Sequence, residues 1–145
     1  MFCGSFRYTI NNKGELIVPM HFRRGRKKII IGAWPEDCLF LFSKKEWKRV
    51  RRMRLRPLEA VNREEIRTIF SQVIETEINE GVIRIPEDLR KQAGLEREVI
   101  IAGCGRYIEL WDRKRWEIEC ERIATMMKAL YEEEAIKIPL NISSN

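Results

Sequence analysis

Gly14-Glu15-Leu16-Ile17-Val18-Pro19-Met20-His21-Phe22-Arg23 recurs 67 residues later as Gly81-Val82-Ile83-Arg84-Ile85-Pro86-Glu87-Asp88-Leu89-Arg90. The likeness continues downstream. Ile29-Ile30-Ile31-Gly32 answers Val99-Ile100-Ile101-Ala102, and Cys38–Trp47 answers Tyr107–Trp116 at an offset of 69. A shared glycine, proline, arginine and tryptophan in one order marks an internal duplication, with small loop insertions between the units.

Each unit has the same physical reading. A strand ends in a tight turn whose tip, Gly14 or Gly81, takes a positive φ without cost. A short apolar strand follows, Leu16–Val18 or Val82–Ile85. Pro19 or Pro86 then stands where a helix starts, with φ already helical and no N–H to leave unpaired. Glu87 and Asp88 favour the dipole of the second such helix. Each helix is expected to be barely two turns long and to stop near Gly25 or Gly94. Two more strands are expected around 28–32 and 38–42, and again around 98–102 and 107–111. A capped helix follows each pair, Ser43 with Glu46 as a capping box and Asp112 as the matching N-cap. Trp47 and Trp116 anchor these helices on the sheet. Between the units Asn62 and Glu65 cap a further helix with Ile66, Ile69, Phe70 and Val73 on one face. The last helix runs from about Arg113 to Ala135. Its residues Trp116, Cys120, Ile123, Met127 and Leu130 form a 4-3-4-3 seam, expected to pack on the chain's own core, with a contact to a neighbouring subunit as the alternative. The tail Lys137–Asn145 is expected to fray.

Charge separates the units. The chain has 145 residues and a net charge of +6. Residues 1–73 hold 17 basic and 7 acidic side chains, whereas residues 74–145 hold 11 and 15. The densest basic runs are Arg23–Lys28 and Lys44–Arg56. Two such runs in one half point to a polyanion, with nucleic acid favoured over a membrane surface. Hydrophobic residues make up 44% and charged residues 34% of the chain, as in a globular protein. No apolar run approaches the ~20 residues of a membrane helix, and no signal peptide is evident. Cys3, Cys38, Cys104 and Cys120 form no C-x-x-C pair, so reduced cytoplasmic thiols are expected and a metal site is not. Enzyme chemistry has little to stand on. His21 is the sole histidine, Glu132–Glu134 sit on a solvated helix end, and Gly103-Cys104-Gly105 is a turn rather than a phosphate loop. No cofactor and no small-molecule substrate is expected.

The pattern N-N-K-G-x-L-x-V-P-x-x-F-R, repeated as G-x-I-x-I-P-x-x-L-R-K-x-A-G-L, resembles the MraZ family of the AbrB-type swapped-hairpin group. The resemblance spans about Met1 to Tyr131. It implies an α+β fold in which two tandem β-α-β repeats form a pseudo-symmetric swapped-hairpin (double-split β-α-β) barrel, each followed by helices. Repeat one is 1–73, basic; repeat two is 74–145, acidic, with the C-terminal helix; the two share one core. The resemblance also implies a cytoplasmic, nucleoid-associated transcription regulator. Such a protein acts as a ring-shaped homo-oligomer on double-stranded DNA, at tandem short sites upstream of a cell-division and cell-wall operon. The family motif places an Asp and an Arg four apart around each turn glycine. Here those positions hold Asn11 and Glu15, then Ile78 and Val82, so both arginines are gone. Lys13 matches the family's turn lysine, and Arg23 and Arg90 match its arginine after the proline. The candidate DNA-contacting set is therefore Arg7, Lys13, Glu15, Arg23, Arg24, Arg26, Lys27 and Lys28. The lost arginines leave an alternative, a ring-forming scaffold or interaction protein without sequence-specific DNA binding.

Overall fold

The computed structural model describes residues 1–34, 37–55 and 62–137. In chain order the first half gives β1 (Ser5–Thr9), β2 (Glu15–Ile17), α1 (Met20–Arg23), β3 (Lys28–Ala33), β4 (Leu39–Phe42) and α2 (Lys44–Val50). A single wider turn of π type, Arg51–Leu55, continues α2, and α3 spans Arg63–Phe70. The second half repeats the series as β5 (Val73–Glu77), β6 (Val82–Arg84), α4 (Glu87–Gln92), β7 (Glu98–Gly103), β8 (Ile108–Asp112) and α5 (Arg113–Lys137). Residues 1–113 form one compact unit. A second unit begins at Lys114, so α5 is described by itself. No described helix is long and apolar enough to cross a membrane.

Six strands form one antiparallel sheet in the order β1-β7-β8-β4-β3-β5, and β2 pairs with β6 in a separate ribbon. Exchanging each strand for its counterpart in the other half reverses the six-strand order into itself. The registers obey the same exchange. Ser5 faces Ala102 on β1 and β7, and Val73 faces Gly32 on β5 and β3. In the ribbon, Glu15 faces Arg84 and Ile17 faces Val82.

The turns cross between halves. Val18 N–H donates to Gly81 O and Ile85 N–H to Gly14 O, both at 2.8 Å. Gly14 and Gly81 have φ of +81° and +79°, as their place at the turn tips requires. Pro19 and Pro86 have ψ of 134° and 147°, so each is the N-cap rather than the first helical residue. Their carbonyls accept from Arg23 and Arg90. The first helix is also shorter than its sequence implies, one turn against the six residues of α4.

Two apolar clusters hold the unit. One lies between the ribbon, α1, α4 and the sheet and draws on both halves, with Leu16, Val18, Phe22 and Ile31 beside Ile83, Ile85, Val99 and Leu110. The second covers the other face of β3 and β4, where Ile30, Phe40, Phe42 and Trp47 meet Ile66, Ile69 and Phe70. Covered on both faces, β4 reads as the unbroken apolar run Leu-Phe-Leu-Phe. Trp47 stacks on Phe40 at 5.6 Å, which fixes α2 to the sheet. Ser43 Oγ accepts from Glu46 N–H, and Asn62 Oδ1 accepts from Glu65 N–H, as the capping pattern predicts. Asp112 ends β8, and its carboxylate accepts from Glu96 N–H at the head of β7. On α5 the seam residues Ile123, Met127 and Leu130 are exposed.

Candidate nucleic-acid interface

The first turn is built around Asn11. Its side-chain oxygen accepts from Lys13 N–H at 3.0 Å and Glu15 N–H at 2.9 Å, and its amide donates to Glu15 Oε1 at 2.9 Å. This Asx-type turn leaves Lys13 exposed beside a buried Gly14. Across the ribbon from Glu15 stands Arg84, also exposed. Arg84 is a basic residue of this region that the repeat pattern alone does not single out. Its counterpart in the first half is Ile17, and only the pairing of β2 with β6 sets it opposite Glu15. Arg97 is a second such residue, exposed, with its carbonyl accepting from Ile10 N–H at the entry to the turn.

At the other turn the first half contributes the basic residues. Lys27 O accepts from Ile78 N–H, placing the Arg23–Lys28 run beside the turn Asn79-Glu80-Gly81. The run divides by role. The Arg23 guanidinium lies against Gly81, where an added Cβ would sit 1.3 Å from Nη1. Arg26 donates to Phe22 O and its guanidinium lies over the rings of Phe22 and Phe2. Both are half-buried and hold the fold, whereas Arg24, Lys27 and Lys28 are exposed. Arg90 mirrors Arg23. It lies against Gly14 and donates from Nε to Ile85 O at 3.0 Å.

The charge asymmetry of the sequence does not become two poles. Because strands of the two halves interleave in one sheet, bases of the first half meet acids of the second. Lys44 pairs with Glu75 at 2.8 Å, and that hydrogen bond, with the nearby charge of Lys28, lowers the Glu75 pKa. Glu98 is held low chiefly by its hydrogen bond to Arg113, with a smaller contribution from exposed Arg7 on β1. Arg56, the end of the second basic run, lies outside the described residues. Arg51 of that run sits over the Phe70 ring at 5.4 Å.

Other chemistry is sparse. Among the described residues no three metal-ligating side chains cluster. A cavity of about 860 Å³ opens between α2 and the β7–β8 turn, with Trp34, Phe42, Met53 and Tyr107 in its walls. Burial beside this cavity pushes the Cys104 thiol up to about 12, with the Glu109 carboxylate adding to the shift.

A ribbon with basic turns, on a duplicated sheet, is what the comparisons with known proteins bear on. The family model described as "MraZ protein, putative antitoxin-like" matches residues 79–137. The chain is 40% identical over 121 residues to the transcriptional regulator MraZ of Alkaliphilus metalliredigens, covering 80% of this chain and 84% of that one. It is 35% identical to that of Acetivibrio thermocellus over 122 residues, 81% and 85% of the two chains. Against that of Heliobacterium modesticaldum the identity is 34% over 142 residues, 95% and 96%. The chain belongs to the MraZ family. The relatives' shared name describes a regulator and not a class of enzyme.

Proposed function

We propose that this MraZ-family chain is a DNA-binding transcription regulator in which the β2–β6 ribbon meets the duplex. One observation carries the reading. Exposed basic side chains gather at both ends of the ribbon, Lys13 and Arg84 at one turn and Arg24, Lys27 and Lys28 beside the other. Relatives that match most of the chain are named transcriptional regulators, which supports the same reading. The architecture is a swapped-hairpin barrel of two repeats, 1–73 and 74–145, on one core. The crossed turn bonds and the self-reversing strand order support it. The regulator works in the cytoplasm, on the nucleoid, as a homo-oligomeric ring on tandem short sites upstream of its own division and cell-wall operon. Several weak modules in one ring gain affinity by avidity.

Arg24, Lys27 and Lys28 bind phosphates, which gives affinity and salt dependence but little base selection. Arg23 and Arg26 serve the fold first. A salt titration of binding to the chain's own upstream DNA, against scrambled DNA of equal length, tests the reading. Wild type binds the upstream DNA more tightly. Replacing Arg24, Lys27 and Lys28 with Gln flattens log K against log salt by roughly 0.9 for each phosphate no longer neutralised. Equal affinity for both DNAs, with an unchanged slope, refutes it. A scaffold without sequence-specific binding is the second reading. It is favoured by Glu15 in the place of the motif arginine and by the apolar pair Ile17 and Val82 at the ribbon's other end.

A further inference from the structure

We propose that the outer face of α2 is a second contact for duplex DNA, on the side of the sheet opposite the ribbon. It rests on the DNA-binding reading above and adds a separate surface to it. The helix and the turn that continues it run Lys44-Lys45-Glu46-Trp47-Lys48-Arg49-Val50-Arg51-Arg52-Met53. Trp47 is buried against Phe40 and Phe42, which fixes how the helix is turned. Lys45 lies two residues before Trp47, and so about 200° round the helix from it. Lys48 and Arg52 follow Lys45 at i+3 and i+7, on the same outward side. All three are exposed, and none forms an ion pair or hydrogen bond among the described residues. Their neighbours are already engaged. Lys44 pairs with Glu75, Arg51 lies over Phe70, and Arg49 and Arg106 flank Glu46 at 3.7 and 3.9 Å.

Charge and chemistry select the partner. Lys45 with Lys48, and Lys48 with Arg52, are like-charge pairs one turn apart, which oppose the helix unless an anion lies across them. The helix dipole offsets Lys48 in the last turn, but Lys44 and Lys45 stand in the first. A duplex supplies a row of anions. From Lys45 to Arg52 the chain rises about 10 Å, a length over which DNA presents about six phosphates. A lipid surface does not fit, because a helix lying on a membrane buries an apolar face there, and Trp47 and Val50 are packed towards the sheet. An acidic protein fits poorly, because the centre of a protein interface is depleted of charge, and Lys48 is the centre here. The ribbon, α1 and α4 cover one face of the sheet, and α2 and α3 the other. A straight duplex seated on the ribbon therefore does not reach Lys45, Lys48 and Arg52. The second contact takes another segment of DNA, so one protomer holds duplex on both its faces.

Lysine acetylation mapped by mass spectrometry on the full chain, with and without duplex at low salt, reads both surfaces at once. It is run on wild type and on the ribbon variant with Arg24, Lys27 and Lys28 replaced by Gln. DNA slows acetylation of Lys45 and Lys48 several-fold in both proteins. Lys45→Gln with Lys48→Gln and Arg52→Gln keeps the near-ultraviolet circular dichroism of the fold. It flattens log K against log salt by roughly 0.9 for each phosphate no longer neutralised, up to about 2.7 for all three. Equal acetylation of Lys45 and Lys48 with and without DNA, or an unchanged slope in that triple variant, overturns the second contact. The ribbon reading stands in that case if the ribbon variant still loses affinity. Protection of α2 that vanishes when only the ribbon charges are removed also overturns it, since the second surface binds on its own. Protection by poly-glutamate or by phosphatidylserine vesicles, but not by duplex, overturns it in favour of an acidic protein or a membrane. A wild type that binds no duplex at low salt removes both surfaces.

Discussion

The side-chain amide of Asn11 donates to the carboxylate of Glu15 at 2.9 Å, closing the first turn from within. The two residues occupy the positions where the family motif has an acid and an arginine, and here an amide and a carboxylate share a hydrogen bond instead. Asn11→Asp keeps the oxygen that accepts from Lys13 and Glu15 N–H but sets two carboxylates together. It should cost up to about 1 kcal/mol, the scale of an exposed charge pair. Asn11→Asp with Glu15→Arg should recover the loss. A urea double-mutant cycle checks this, and a double variant no more stable than Asn11→Asp alone counts against it.

The two turn glycines should respond unequally to alanine. Each carries a positive φ that costs an L-residue about 1–2 kcal/mol. At Gly81 the new Cβ meets the end of the Arg23 side chain, which can swing away. At Gly14 it would lie 2.5 Å from the backbone oxygen of Ile85, which cannot. Gly14→Ala should therefore lower the urea midpoint more than Gly81→Ala, with the slope of the transition unchanged. Equal losses would mean the Ile85 carbonyl moves freely.

Much of this was legible in the residues because a duplication prints its pattern twice. Gly14 with Gly81 located the turns, Ser43 and Asn62 the caps, and Leu39–Phe42 a strand covered on both faces. What stayed hidden depends on pairing between distant segments. Nothing near Arg84 in the chain says that it stands opposite Glu15, because that follows from a register between halves. Arg23 and Arg26 read as members of a basic run, yet contacts with Gly81, Phe2 and Phe22 give them structural work. The α5 seam was visible as spacing, but spacing does not say which surface covers it.

Thiol chemistry separates the cysteines by environment. Cys3 and Cys120 are exposed, and Cys38 is buried. Cys104 is half-buried with its pKa pushed up to about 12, first by burial and then by Glu109. At neutral pH it is a protonated, poor nucleophile. Iodoacetamide with mass-spectrometric mapping should modify Cys3 and Cys120 well before Cys104. Glu109→Gln should speed Cys104 modestly, since it removes the smaller cause. Labelling of Cys104 as fast as Cys3 would contradict the assignment.

Acid should weaken the sheet through two exposed carboxylates. Glu98 and Glu75 are both lowered from 4.5, each mainly by a hydrogen bond to its cation, Arg113 and Lys44. A carboxylate whose folded pKa is depressed adds stability above its unfolded value. That contribution is lost as pH falls through the folded value. The urea midpoint of wild type should thus fall on acidification below 4.5, and Glu98→Gln with Glu75→Gln should fall less steeply. Parallel curves would show that solvent screens both pairs fully.

Glu15 offers the sharpest choice between a regulator and a scaffold. In the proposed complex its carboxylate approaches phosphates, while Arg84 opposite supplies the attraction. The turn is wet and the Debye length at physiological salt is about 8 Å, so the repulsion is of order 1 kcal/mol rather than several. Glu15→Arg should tighten DNA binding by roughly five-fold, the equivalent of that energy, and steepen log K against log salt by about 0.9 if the new arginine neutralises one more phosphate. Arg84→Gln should do the reverse by a similar factor. Folding should change little for Arg84→Gln, because surface substitutions usually stay within about 0.5 kcal/mol, whereas Glu15→Arg also gives up the exposed Asn11 hydrogen bond and should cost about 1 kcal/mol. Fluorescence anisotropy across a salt series reads both quantities. If neither variant moves affinity or slope while the oligomer stays intact, the ribbon does not meet DNA. The acid at position 15 then marks a turn released from nucleic acid, and the scaffold reading takes the place of the regulator.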